Sequence, residues 1–359
     1  MLIIDSHLDL AWNAMQWGRD LRLSAYTVRA QESGLSGGGR AQNTVCLPEM
    51  RRGRVALCFA TVLSRHTGIL YPNLDYASQA QCYAVGQGQL AYYRALEAEG
   101  QIRIIEALEV LNHHLAEWEV WDAAHPDPTD ATPPLGFVIS MESADPIVHP
   151  AQLADWHRSG LRVIGPTHYG LGRYAGGTGT ELGLSALGVR LLKEMERLGV
   201  MLDMTHFSDQ AFWEALKHYE GPVLASHNNC RALVPHQRQF TDAQLRAIIE
   251  RGGVIGAAFD IWMLIPEWNA DKSSNRLASI ATVVEHIDHV CQLAGNAHHA
   301  AIGSDLDGGF GREASPYDLD TIADLQRVGE LLAQLGYAKA DIAAVLYRNW
   351  VRVLRQAWA

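Results

Sequence analysis

The chain opens Met1-Leu-Ile-Ile-Asp-Ser-His-Leu-Asp9, and the reading of this stretch decides the fold. Leu2, Ile3 and Ile4 form a short apolar run, the mark of a buried strand. Residues two apart on a strand point the same way, so His7 and Asp9 project together where the run ends. An imidazole and a carboxylate side by side at the mouth of a buried strand can supply half the shell of a catalytic metal. The simpler alternative is a capping aspartate and a chance histidine in the first loop. Matching donors further along the chain decide between the two.

Such donors recur. Val55–Leu63 is a second apolar run, and six more follow: Gly136–Glu142, Arg162–His168, Val200–His206, Pro222–His227, Gly253–Phe259 and Ala300–Asp305. Helical patterns separate them, the longest from Tyr76 to Glu99, and Leu319–Leu335 and Asp341–Trp358 end the chain. Short apolar runs alternating with helices mean βα units and a parallel sheet, and eight such strands close a (β/α)8 barrel. Ile102–Leu108 is set aside as a ninth because it runs into the helical segment Glu109–Trp121 and ends in no polar site residue. With no internal repeat and no domain boundary, residues 1–359 read as one TIM-barrel domain with extended βα loops.

Composition narrows the function. A net charge of −11 argues against nucleic acid or an anionic membrane as partner. No apolar stretch approaches the roughly 20 residues that span a bilayer. Asp5, His7 and Asp9 interrupt the N-terminal apolar run, so no signal peptide is visible. The five cysteines are scattered without a C-x-x-C pair, which suits buried thiols in a reducing cytoplasm.

Six of the eight runs end in a residue fit for metal or proton chemistry: His7/Asp9, Glu142, His168, His206, His227 and Asp305. In a closed barrel these ends meet on the C-terminal face, where active sites of this fold lie. His7, Asp9, His206 and His227, with Glu142 between, can hold two metal ions about 3.5–4 Å apart. Imidazole plus carboxylate suits zinc first, and also manganese, cobalt or iron. Lys193, Lys217, Lys272 and Lys339 lie in helical or loop stretches, so a bridging Glu142 fits better than a bridging lysine. Asp203 and Asp307 read as residues that orient ligands or cap. His113, His114, His298 and His299, away from strand ends, read as surface histidines.

The His7-x-Asp9 opening, Glu142 at a strand end, Thr167-His168, Asp203-Met-Thr-His206-Phe-Ser208, Ser226-His227, Arg238 and Gly303-Ser-Asp305-x-Asp-Gly308 together resemble the membrane (renal) dipeptidase family. The resemblance runs from Ile3 to the C-terminal helix. It implies a binuclear-zinc barrel, usually a homodimer, in which a metal-bridging hydroxide attacks the peptide carbonyl of a dipeptide, with a D-residue tolerated at the C-terminal position. Carried over by position, it puts His7 and Asp9 on one metal, His206 and His227 on the other, and Glu142 across both. It also implies His168 on the scissile carbonyl oxygen, Arg238 on the substrate carboxylate, and Asp305 near the free amine as proton shuttle.

The chain departs from the family at Ser143-Ala-Asp-Pro146, at Tyr169–Gly177 and at Asn228-Asn-Cys230. The second stretch should line the substrate pocket. Two other readings therefore stay open: an amide or lactone hydrolase acting on a non-dipeptide substrate, and a non-catalytic barrel that binds a small ligand.

Overall fold

The computed structural model describes every residue except Pro128, Asp130 and Asp271. Two of these fall in the Pro-rich stretch 125–134, which to that extent lies outside the described residues. Nine strands are present among the described residues: β1 (Ile3–Leu8), β2 (Val55–Leu63), β3 (Ile102–Ile104), β4 (Leu135–Glu142), β5 (Leu161–Gly165), β6 (Met201–Asp203), β7 (Val223–Leu224), β8 (Ile255–Ala257) and β9 (Ala300–Ile302). All are parallel, in the order β7-β6-β5-β4-β2-β1-β9-β8. A bridge between Ala225 and Ile255 joins the two ends of this order and closes the barrel. Every residue of β2 and β4 is buried, as a stave requires when one face meets the barrel interior and the other meets helices.

The stretch set aside as a ninth strand does pair. Ile102–Ile104 lies against Leu135–Phe137 at the start of β4, on the edge that β5 takes over from Ile139 onward. It fills the length of β4 that the shorter β5 leaves unpaired, outside the eight-stranded path. Only three residues long, it cannot reach the barrel mouth.

Side-chain oxygens at the N-termini set several outer helices. Ser78 caps Gln79–Ala98, Ser185 caps Ala186–Leu198, Ser208 caps Asp209–His218, and Thr241 forms a capping box with Gln244. The C-terminal segment clamps β9: Trp350 Nε1 donates to the Ile302 carbonyl at 3.0 Å, and Asn349 Nδ2 to those of Ala297 and Ala300. No helix among the described residues is long and apolar enough to cross a membrane. The five cysteines are free and buried.

His114 is not a surface histidine. It is fully buried on the helix Leu108–Ala124, with Nε2 donating to the Ala56 carbonyl at 2.9 Å and Arg103 beside Nδ1 at 3.4 Å. Gly136 is its steric partner, because a Cβ there would stand 2.5 Å from Nε2. His113 and His298 are exposed as expected, whereas His299 is half-buried, with Nδ1 2.8 Å from the Gly253 carbonyl.

Candidate active site

At the barrel mouth, five strands share one habit: the third residue past the strand end is polar. His168 follows Gly165, His206 follows Asp203, His227 follows Leu224, Asp260 follows Ala257, and Asp305 follows Ile302. His7 lies within β1, Glu142 ends β4, and Asp9 stands one residue past β1. Asp9 precedes the helix Leu10–Gln16, yet its side chain makes no capping bond and its buried Oδ1 has no hydrogen-bond partner. The capping alternative for Asp9 therefore fails.

Glu142 sits at the centre. Its Oε1 is 3.2 Å from His206 Nε2 and 3.3 Å from His227 Nε2, and its Oε2 is 3.7 Å from both His7 Nε2 and His168 Nε2. His7 Nε2 is 3.9 Å from Asp9 Oδ2 and 3.8 Å from Asp305 Oδ1. Donor atoms close enough to share one cation form three groups: His7, Asp9 and Glu142; Glu142, His206 and His227; and His7, His227 and Asp305. Glu142 belongs to the first two.

Hydroxyls stand against the far ring nitrogens. His7 Nδ1 and His227 Nδ1 lie 3.3 and 2.9 Å from the single oxygen Ser226 Oγ, whose two lone pairs suffice to accept from both. Thr178 Oγ1 takes His206 Nδ1 at 3.0 Å while giving its own proton toward the His206 carbonyl. With their protons on Nδ1, three imidazoles turn unprotonated Nε2 atoms toward carboxylate oxygens. The Nε2 atoms of His206 and His227 are only 3.2 Å apart. Converging buried acceptors are costly in that arrangement, and a divalent cation would relieve them. His7 Nε2 and Glu142 Oε1 have no hydrogen-bond partner, which fits the same conclusion. The donor set suits a pair of divalent ions, and a hydrogen-bonded far ring nitrogen is the usual support of a metal-binding histidine.

Burial and crowding explain the electrostatics. Burial lowers His7 to about 3 and carries His168, His206 and His227 well below the usual histidine range, helped by the Arg238 charge. Burial pushes Asp9 up to about 7. Glu142 and Asp305 rise well above the carboxylate range through burial and through repulsion from Asp9. Neutral imidazoles and crowded acids are the two halves of a cation site.

The chain pays for this placement in backbone strain. His206, Asp305 and Ser143 take left-handed φ of 68°, 58° and 64°, a region that costs a non-glycine residue about 1–3 kcal/mol. Asp203 holds the bend before His206, its Oδ1 accepting from the N–H groups of Thr205 at 3.0 Å and Ser226 at 2.9 Å. Asp307 anchors the first long loop through Thr44 and Val45. Asp203 thus braces the turn that carries His206, whereas Asp307 holds a loop and no candidate ligand.

Arg238 is 2% exposed and braced, with Nη1 donating to Asn228 Oδ1 at 2.8 Å and Nη2 to the His227 carbonyl at 2.9 Å. Its Nε has no partner. It stands behind the cavity wall. The cavity, of about 450 Å³, is lined by Asp9, Glu142, His168, His206 and Asp305 together with residues that sequence reasoning missed. Those include Arg65, Asp260 and the aromatic side chains Trp12, Trp17 and Tyr71. The shared three-residue offset is the signal that would have found Asp260. No comparable signal marks Arg65. The departures at Ser143–Pro146 and Tyr169–Gly177 are joined: Asp145 accepts from the N–H of Arg173 at 3.1 Å and of His66 at 2.8 Å, and Tyr169 lines the cavity.

An uncharacterized protein in the pqqA 5′ region of Klebsiella pneumoniae is 35% identical over 57% of this chain and 76% of its own length. Dipeptidase tcpJ of Claviceps purpurea is 30% identical over 56% of this chain, an alignment spanning 46% of that protein. Among solved structures, the chain superposes on dipeptidase AC, a metallopeptidase of family M19, with a TM-score of 0.78 at 23% identity, covering 100% of this chain and 99% of the other. It superposes similarly on a metallopeptidase from Rhodobacter sphaeroides liganded with a phosphinate mimic of the dipeptide L-Ala-D-Ala, with a TM-score of 0.76 at 23% identity over 100% and 99% of the two chains. These likenesses fix the fold. The family profile of membrane dipeptidases matches residues 1–359, and the chain belongs to that family, peptidase family M19.

Proposed function

We propose that the protein is a binuclear, zinc-dependent dipeptidase that tolerates a D-residue at the C-terminal position of its substrate. The observation that carries this reading is Glu142, whose carboxylate joins two groups of donors, one with His7 and Asp9 and one with His206 and His227. Those five residues would hold the two ions. When bound, such a pair supplies Lewis acidity and lowers the pKa of water to near neutral.

The remaining groups handle the substrate. His168 directs Nε2 toward the same centre and would donate to the carbonyl oxygen as negative charge develops there. Asp305, at the cavity wall, would hold the free amine and carry the proton to the leaving nitrogen. Arg238 is the cation whose field reaches Glu142, Asp305 and the four site histidines, and we assign it the substrate carboxylate. Tolerance of a D-residue is supported by the phosphinate mimic of L-Ala-D-Ala bound to the Rhodobacter relative. The homodimer that the family resemblance implies and the single-domain organisation read from the sequence belong to the same proposal.

A screen of zinc-loaded protein against L-L and L-D dipeptides, their C-terminal amides and simple lactones tests the reading. Hydrolysis of both dipeptide series, with the amides and lactones poor substrates, is the expected result. Lactones or simple amides turned over in preference to dipeptides would replace it with the non-peptide hydrolase reading. Protein that binds no zinc and hydrolyses nothing would leave a ligand-binding barrel.

A further inference from the structure

We infer that Arg65 is a positioning residue for the hydrolytic reaction: it holds the His168 imidazole as a neutral donor with its proton on Nε2. The role of His168 in that statement rests on the dipeptidase reading; the tautomer does not.

Arg65 lies two residues past β2 and is 6% exposed. Its Nη1 is 2.7 Å from His168 Nδ1, and its Nη2 is 2.5 Å from Asp75 Oδ2. A guanidinium keeps its proton at any accessible pH and has no acceptor. In this pair the arginine must donate, so His168 Nδ1 must present its lone pair. A neutral imidazole carries one N–H, which is then on Nε2, 3.7 Å from Glu142 Oε2. The other three histidines set Nδ1 against the hydroxyls of Ser226 and Thr178, which can accept as well as donate. Arg65, which can only donate, distinguishes the fourth ring.

Arg65 is itself fixed from behind. Asp75 Oδ1 accepts from Thr67 Oγ1 at 2.8 Å, and the Arg65 backbone bonds to Leu74 and Tyr76, which closes the loop 66–74. That loop brings Tyr71, Pro72 and Leu74 to the cavity wall. The charge of Arg65 is already paired with the Asp75 carboxylate, whereas the partners of Arg238 are neutral, so Arg65 is poorly placed to bind a substrate anion. Its effect should fall on kcat rather than KM.

Two readouts test this. In protein labelled with ¹⁵N-histidine, the two-bond proton–nitrogen correlations of His168 should show a pyridine-like Nδ1 and a pyrrole-like Nε2. The pattern should be lost in Arg65→Met and kept in Arg65→Lys. A pyrrole-like Nδ1 in the wild-type protein overturns the inference whether or not any dipeptide is hydrolysed. In kinetics, Arg65→Met should lower kcat by roughly 10- to 100-fold with metal content and KM little changed, and Arg65→Lys should restore part of it. Arg65→Met combined with His168→Ala should be no slower than His168→Ala alone. A loss confined to KM, or losses that multiply in the double variant, would overturn the link between the two residues. Because Arg65→Met strands the buried Asp75 charge, the series is repeated with Asp75→Asn, which removes it.

Discussion

Oε1 of Glu142 stands 3.2 Å from Nε2 of His206, an ion-pair distance between two groups that are both acceptors when the ring proton is on Nδ1. With the proton there, a shared cation would relieve the contact, and the other oxygen of the same carboxylate faces His7. Replacing Glu142 by Gln keeps the shape and removes the charge from both groups. The variant should lose both metals, read by mass spectrometry of the dialysed protein, and its activity with them. Retention of two tightly held ions with full activity would remove the bridging role.

Asp305 shares a donor group with His7 and His227 but also lines the cavity, so two roles compete for it. As proton shuttle, Asp305→Asn should lower kcat by roughly 10²–10⁴ with metal content intact. Loss of one metal in that variant would make it a ligand instead.

The strand-end donors were legible because each follows an apolar run, and a barrel brings such ends to one face. The strands themselves proved shorter than the runs. His168, His206, His227 and Asp305 all lie three residues beyond a strand end, on turns held by groups such as Asp203 and Ser226. Asp260 sits at the same offset but was passed over, since Gly253–Phe259 stops one residue before it. Arg65 and His114 were illegible for another reason. Their partners are far along the chain, His168 and the Ala56 carbonyl, and no local pattern announces a contact of that kind. The pairing of Ile102–Ile104 depends on how far β5 extends along β4, which periodicity does not encode.

Arg238 supplies the test of substrate class. If it reads the substrate carboxylate, amidating a dipeptide's C-terminus should cost about 1.5–3 kcal/mol, roughly 10- to 150-fold in kcat/KM. Arg238→Met should cost a similar amount on the free acid, and the two losses should not add. Its bonds to Asn228 and the His227 carbonyl give the variant a second expected effect, a modest loss of metal affinity through His227. Simple additivity of the two kinetic losses would take the carboxylate away from Arg238.

His114 should give the protein a pH-dependent stability that owes nothing to metal. Burial lowers it to about 4, from an ordinary value of 6.5. Between those values the unfolded chain binds a proton that the folded chain refuses, so stability rises with pH across this window. The contribution is complete above about pH 6.5 and lost as pH falls to about 4, with a span of about 3 kcal/mol. Urea unfolding of wild type and His114→Gln from pH 4 to 7 should show a smaller slope for the variant. Equal slopes would mean that another group carries the dependence.

A binuclear hydrolase needs both metal ions across Glu142. Zinc titrated into chelator-stripped protein, with release of free amino acid from an L-D dipeptide as the readout, should raise the rate to a plateau at two equivalents per chain. A plateau at one equivalent, or no turnover at any ratio, would remove the binuclear reading.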